Sequence, residues 1–474
     1  MSKLIETLKL LDKSELQGFT RFMHSPYFCQ HQQTIDFFGF LIEIHPDWDQ
    51  DLFVAYSLKY PNTKISKARF NVLKSYLLGH LHNFLVQERF KSDPIRQKIL
   101  LVDVLREREH FQQAGKQLEQ AQREWEENTP LDSSNYLNRL LLEECALDLS
   151  FSVQNRSASP PIHQLLNAVD QTYIGYWLKY LLSSWTLGRM VGFQFPEDRW
   201  QEIRGLAEAQ LETLPALARM HYRLLLLYRN EAPTQQYDAL ASLLEDHGQR
   251  MTKTELLNVY GNLQNYHTRR MHEGDPEAMQ KLFLGYQQMV RLQLIFNQGE
   301  FTSHFIRNIT AVACRLGEIA WTTNFLNTCR TQIVKEIGRP GFLYSLAYLD
   351  FTKGDFSKAL QRLHSLEFVD PFYRIGHQTL LLRIYYELEQ YESLDLVSET
   401  FRRYLNRTPQ ISDRQKEQYR AFISILKKLA RAREKGANKA RLSRITDLLE
   451  QHAEVTDRTW LSAKLEELSS PSSP

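Results

Sequence analysis

The chain has 474 residues, with 58 Lys and Arg against 56 Asp and Glu, a formal net charge of +2 that gives no ground for a polyanion partner by itself. Hydrophobic residues at 43% and aromatic residues at 12% exclude global disorder, and 19 Gly with 16 Pro is sparse enough to suit long helices joined by few turns. A chain of this length is either roughly two to four ordinary domains or one long stack of helices, since a stacked core escapes the usual limit on size.

Cys29, Cys145, Cys314 and Cys329 lie in apolar helical context without a Cys-x-x-Cys pair. That usage suits buried thiols in a reducing cytoplasm. Glu6, Lys9 and Asp12 interrupt the N-terminus, so no signal peptide is expected. The most apolar later stretch, residues 173–195, is broken by Lys179 and Arg189, whereas a membrane span needs about 20 apolar residues. A soluble cytoplasmic protein, with no membrane partner, is the expectation.

Residues 1–94 read as a small helical module. Ser14 is placed to cap a helix with Leu16, Phe19, Phe22 and Met23 on its apolar face, ended by Ser25-Pro26, because the residue before proline disfavours the helical region. Thr34 and then Asp49 open two further short helices, and Ser66 opens a long one whose Phe70, Leu73, Leu77, Leu81, Phe84 and Leu85 form a core-facing stripe. Residues 52–87 contain Lys59, Lys64, Lys67, Arg69 and Lys74 and no acid. Three of these cations gather at the start of the long helix, where the macrodipole disfavours them, so the segment is a candidate phosphate or nucleic-acid patch.

Residues 95–160 give paired helices around Arg108-Glu109-His110, and residues 156–161, Arg-Ser-Ala-Ser-Pro-Pro, mark an internal boundary. Residues 161–410 continue as hairpins, with turns expected at residues 231–234 and 273–276. The clearest pattern is Leu343-x-x-Leu346-Ala347-x-x-Asp350, then Lys353-Gly354-Asp355-Phe356-Ser357-Lys358-Ala359-Leu360, Leu363 and Asp370-Pro371. Leu346, Leu349, Phe351 and Phe356 recur as Leu381, Ile384, Tyr386 and Tyr391, with Pro409 beyond. A weaker copy precedes them: Ile309, Thr310 and Ala313, a turn at residues 315–319, then Leu326 and Cys329.

These marks resemble the tetratricopeptide repeat, a helix–turn–helix unit of about 34 residues, over roughly residues 303–409. The copies are degenerate: Asp350 and Leu363 stand where that family has aromatic residues, and Leu394 and Ser398 depart from it as well. The resemblance implies an all-α fold, a right-handed α-solenoid of degenerate hairpins with an N-terminal helical module and a C-terminal helical cap at residues 411–468. In such repeats the first helices line a concave face. Here that face would carry His304, Arg307 and Arg315, then Tyr344, Tyr348 and Phe351, then Thr379, Arg383 and Tyr386, rich in the Arg and Tyr that dominate binding hot spots.

After Pro409 the pattern gives a helix capped by Ser412 or Asp413 and stopped at Gly436, a second opened by Asn438, and a third around Trp460, Leu461 and Leu465, with a polar tail from residue 469. Residues 14–28, which include Ser-Pro-Tyr-Phe, and residues 457–468, Asp-Arg-Thr-Trp-Leu-Ser-Ala-Lys-Leu-Glu-Glu-Leu, are similar to the two ends of a group of bacterial helical proteins with no established activity. That resemblance implies an end module at each terminus.

No phosphate loop, nucleophile elbow, His-Glu-x-x-His or zinc-ligand cysteine spacing occurs. His80 and His82 lie two apart and point to different sides of a helix, so neither a metal nor a cofactor is expected. The expected role is a scaffold, not an enzyme, that holds a peptide or protein segment in its concave face. A regulator that touches nucleic acid through its N-terminal module is the alternative, and an enzyme whose site assembles from distant repeats is the third reading.

Overall fold

The computed structural model describes residues 2–63, 65–128, 130–152, 160–191, 193–296, 300–332, 339–364, 366, 371–452 and 454–469. Among these there are 23 α-helices and no β-strand, with 80% helix. The chain divides into two compact units, Met1–Arg219 and Met220–Pro474.

The first unit begins with α1 (Lys3–Leu8), α2 (Lys13–Met23), α3 (Gln32–Glu43), α4 (Leu52–Lys59) and α5 (Lys67–Lys91). Their core is aromatic: Phe19, Phe37, Phe38 and Phe40 are almost wholly buried against Leu77 and Leu81 of α5. Phe19 meets Phe38 edge-on, with centroids 4.9 Å apart, a favoured geometry for ring pairs. The helix starts differ from expectation by a few residues. Asp12, not Ser14, begins α2 through a reciprocal capping box with Glu15, His31 precedes α3, and Asp51 rather than Asp49 caps α4. In each case the acceptor that can reach the orphan N–H groups of the first turn sets the boundary. Ser66 caps α5 as its sequence position predicts.

Then follow α6 (Pro94–Glu107), α7 (Phe111–Asn128), α8 (Ser134–Ser152), α9 (Ile162–Val191) and α10 (Glu197–Ala209). Asp93 caps α6 and Pro94 occupies its first turn, where a missing N–H costs nothing. The α6–α7 hairpin packs through Val102, Ala114 and Ala121. Gly175 lets α9 approach α8: a Cβ there would lie 2.6 Å from the Tyr136 ring. Residues 153–159, beside the expected boundary at 160, lie outside the described residues.

The division between the units falls inside α11 (Ala216–Tyr228). The second unit continues with α12 (Pro233–His247), α13 (Lys253–His272), α14 (Ala278–Arg291), α15 (Glu300–Arg315), α16 (Ile319–Gln332), α17 (Arg339–Thr352), α18 (Phe356–His364), α19 (Pro371–Glu387), α20 (Tyr391–Arg407), α21 (Asp413–Glu434), α22 (Lys439–Gln451) and α23 (Arg458–Ser469). Helix α17 packs between α15 and α19, and α21 receives α20, α22 and α23. Ser412 forms a capping box with Gln415, and Gly436, at φ +80°, ends α21.

One turn recurs along the chain. At Glu109, Asn230, Gly274, Gln293, Gly317, Gly354 and Glu389 the backbone turns left-handed just past a helix. Each time, that residue's N–H and the next one close on carbonyls of the last helical turn. At Gly354 the bonds are Gly354 N–H to Phe351 O (3.0 Å) and Asp355 N–H to Asp350 O (2.9 Å); at Glu389 they are Glu389 N–H to Tyr386 O (3.2 Å) and Gln390 N–H to Tyr385 O (2.9 Å). This paired closure satisfies orphan carbonyls and reverses the chain. Asp350, which departs from the repeat pattern, has a local role: buried on α17, it accepts from Arg362 Nε of α18 at 2.5 Å and pairs with Lys358.

Candidate functional site

Five of the residues expected on the concave face come together, and what they meet belongs to the same chain. Arg315 ends α15, Tyr348 and Phe351 lie on α17, and Arg383 and Tyr386 on α19. Arg383 is 7% exposed, with its guanidinium carbon 4.3 Å from the Phe351 centroid and 5.9 Å from that of Tyr348. Its Nη1 lies 3.2 Å from Asp457 Oδ2, while Arg315 Nη2 lies 3.2 Å from Asp457 Oδ1. The two guanidiniums therefore share one carboxylate across both of its oxygens, a charge-assisted arrangement that fixes the anion's position as well as its charge.

Trp460, one turn into α23, completes the cage. Its ring lies 5.1 Å from the Arg383 guanidinium and edge-on to Tyr386 at 5.5 Å, and its Nε1–H donates to Glu387 Oε1 at 3.3 Å. Lys464, one turn further, pairs with the same nearly buried Glu387 at 2.9 Å. Arg433 of α21 stacks over Tyr386 and pairs with Glu389 at 2.8 Å. Burial pushes the Tyr386 hydroxyl up to about 12 and the Tyr344 hydroxyl above the usual phenol range, so both stay neutral. Tyr344 donates to Gly376 O at 3.3 Å, and the absence of a side chain at Gly376 leaves room for that hydroxyl. Arg307 sits apart, stacked at 4.5 Å over Tyr373. The described face is thus not an open surface at Arg383, as the sequence suggests, but one covered by residues 457–464.

Asp457, Trp460, Glu387 and Lys464 are the members that sequence reasoning misses. The signal lay in the terminal Asp-Arg-Thr-Trp, read there only as part of an end module.

In the N-terminal basic segment the cations have partners of different kinds. Lys59 pairs with Glu43, Arg69 donates to Gln33 Oε1 at 2.8 Å, and Lys74 stacks over Phe70. Lys67 and Lys74 line a cleft of about 550 Å³ whose other wall carries Asp49 and Asp51. Lys64 lies outside the described residues. Residues 427–444 carry a second basic run, Lys427, Lys428, Arg431, Arg433, Lys435, Lys439, Arg441 and Arg444, and there Lys427 meets Asp395 at 2.9 Å and Glu399 at 3.2 Å.

A further cleft of about 680 Å³ lies between α12, α13 and α14, lined by Tyr237, Tyr260, Gln264, His267, Lys281 and Arg291 among others. Burial, with Lys281 adding to it against Asp275, pushes His267 down to about 4. Among the described residues no group of three or more His, Cys, Asp or Glu is placed to hold a metal ion, and no helix is long and apolar enough to cross a membrane. The four cysteines are buried and unpaired. No family model matches the chain, and no curated protein or solved structure matches it either.

Proposed function

We propose that the chain is a tetratricopeptide-like interaction scaffold, a right-handed solenoid in its repeat region, acting in the reducing cytoplasm. Its α15–α17–α19 face takes a helical segment of a partner protein that carries a carboxylate and, one turn later, an indole or similar aromatic ring. The carrying observation is the shared grip of Arg315 and Arg383 on Asp457, each at 3.2 Å. In this reading α23 is a resident ligand that a partner segment displaces. The composition of α23 supports displacement: Leu461 is its one fully buried side chain, and elements with few buried apolar contacts open at low free energy.

The test uses full-length Asp457→Asn/Trp460→Ala, in which α23 is unlatched, and a synthetic peptide copying residues 452–469. The peptide should bind this variant at least about tenfold more tightly than wild type, a difference of about 1.4 kcal/mol. Adding Arg383→Ala should abolish the gain. A variant whose helicity is intact, whose α23 amides exchange freely, and which still ignores the peptide sinks the proposal.

A further inference from the structure

Helix α9 of the first unit is apolar on two opposite sides. Ile174, Leu178, Leu181 and Leu182 are buried in the core. The other side carries Ile162, Leu166, Val169, Tyr173, Tyr180 and Leu187, each between 40% and 58% exposed. With Tyr176 and Ser183 in the intervening places, these residues follow one another in alternating steps of four and three. That spacing is the seam of a two-stranded coiled coil. Asp170 and Lys179, the acid and the base in residues 162–188, lie on its flanks and not in it. A globular helix ordinarily has one apolar face and a polar one opposite it, so a second apolar face calls for a cover.

We propose that the cover is a second copy of this chain, whose own α9 lies antiparallel along the stripe about a twofold axis passing between Ile174 and Gly175. The sequence is self-complementary in that register. Tyr173 meets Tyr176 of the other copy, Val169 meets Tyr180, Leu166 meets Ser183, and Ile162 meets Leu187. Away from the two central Tyr173–Tyr176 levels, each large side chain faces a smaller or aliphatic one. A parallel pair would instead set Tyr against Tyr at positions 173, 176 and 180 and Ser183 against Ser183, crowding three levels and leaving a void at the next. The stripe is already ordered as a ladder of rings, with Tyr176 and Tyr180 stacked 6.2 Å apart at 10°, and Tyr173 held by a bond to Glu202 at 3.2 Å. These three rings therefore have little freedom left to lose on pairing.

The area suffices. Six large side chains, each with about 150–250 Å² to bury and about half exposed, give roughly 550 Å² per copy, or about 1,100 Å² for the pair, which clears the roughly 1,000 Å² that a specific interface needs. The contact is isologous, so it closes at two copies.

Sedimentation equilibrium on the full-length chain should give a dimer at micromolar concentration. Leu166→Glu and Tyr180→Glu, both at exposed positions, should each give a monomer with an unchanged far-ultraviolet spectrum. Val169→Cys/Tyr180→Cys tests the register: on one helix the two positions are about 16 Å apart and cannot join, and the native thiols are buried. Oxidation should therefore link two chains in the double variant and in neither single variant. A wild-type monomer at every concentration overturns the proposal. So does a dimer that survives Leu166→Glu, or linkage of Val169→Cys alone. If Tyr180→Glu fails to fold, the cysteine pair still decides between these outcomes.

Discussion

Asp457 combines two demands that oppose each other. Its backbone sits at φ +52°, a left-handed conformation that costs a residue with a Cβ about 1–2 kcal/mol, and its carboxylate turns to Arg315 and Arg383. The two charge-assisted contacts offset that strain. Replacing Asp457 with Ala leaves Arg383 buried beside three rings with no counter-charge, while Arg315, whose side chain is 47% exposed, recovers water. We expect a loss of about 2–3 kcal/mol, below the 3–5 typical of a fully buried broken pair because half of this one is hydrated. A shift in urea midpoint worth less than about 0.5 kcal/mol would mean the carboxylate is idle. Glu389 holds the same backbone region at φ +57° with only a solvent-exposed pair to Arg433 to offset it, worth little in water, and glycine occupies the equivalent place at Gly317 and Gly354. Glu389→Gly should accordingly raise stability by about 1 kcal/mol, and a drop in melting temperature would contradict this account of the turn.

Among the helices, those that bury one stripe were legible, and those fixed by a distant partner were not. Helix α5 follows from the spacing of Phe70, Leu73, Leu77, Leu81 and Phe84, and its cap from Ser66 alone. The turns at Gly317 and Gly354 are visible because glycine advertises a left-handed backbone; at Glu109 and beside Asn230 the break between two apolar stripes places the turn, but the residue type does not signal its left-handed backbone. The cage around Arg383 was half legible. Its cation and aromatic walls follow from helical spacing, but the carboxylate comes from residue 457, and no periodicity links residue 383 to residue 457. Helix α13 supplies a prediction that sequence gives no hint of. His267 is buried against Tyr237 and Tyr266 with Lys281 nearby, and its pKa falls from 6.5 to about 4. Between those values the unfolded chain binds a proton that the folded chain does not, so stability should decline as pH falls from about 6.5 toward 4, by on the order of 2–3 kcal/mol. His267→Gln should flatten that part of the profile, and a slope unchanged by the substitution assigns it to another group.

At the scale of the whole molecule the organising fact is the split into two compact units. A chain of 474 residues is past the roughly 250–300 at which one core stops growing, and each unit closes around apolar side chains of its own. The tryptophans happen to report this division. Trp48, Trp125, Trp177, Trp185 and Trp200 belong to the first unit, while Trp321 and Trp460 belong to the second; helix, by contrast, fills both. Indole emission therefore weights the first unit, and the far-ultraviolet helical signal weights the two nearly equally. If each unit unfolds as its own cooperative block, the urea transitions seen by the two probes should not coincide, since coincidence is the mark of a single two-state event. Asp457→Ala sharpens the experiment, because the contact it removes lies wholly within the second unit. It should move the helical transition to lower urea and leave the main emission transition in place. Two probes that superimpose in the wild type and shift together in the variant would show one cooperative molecule, and the division at Arg219 would then describe its packing and not its folding.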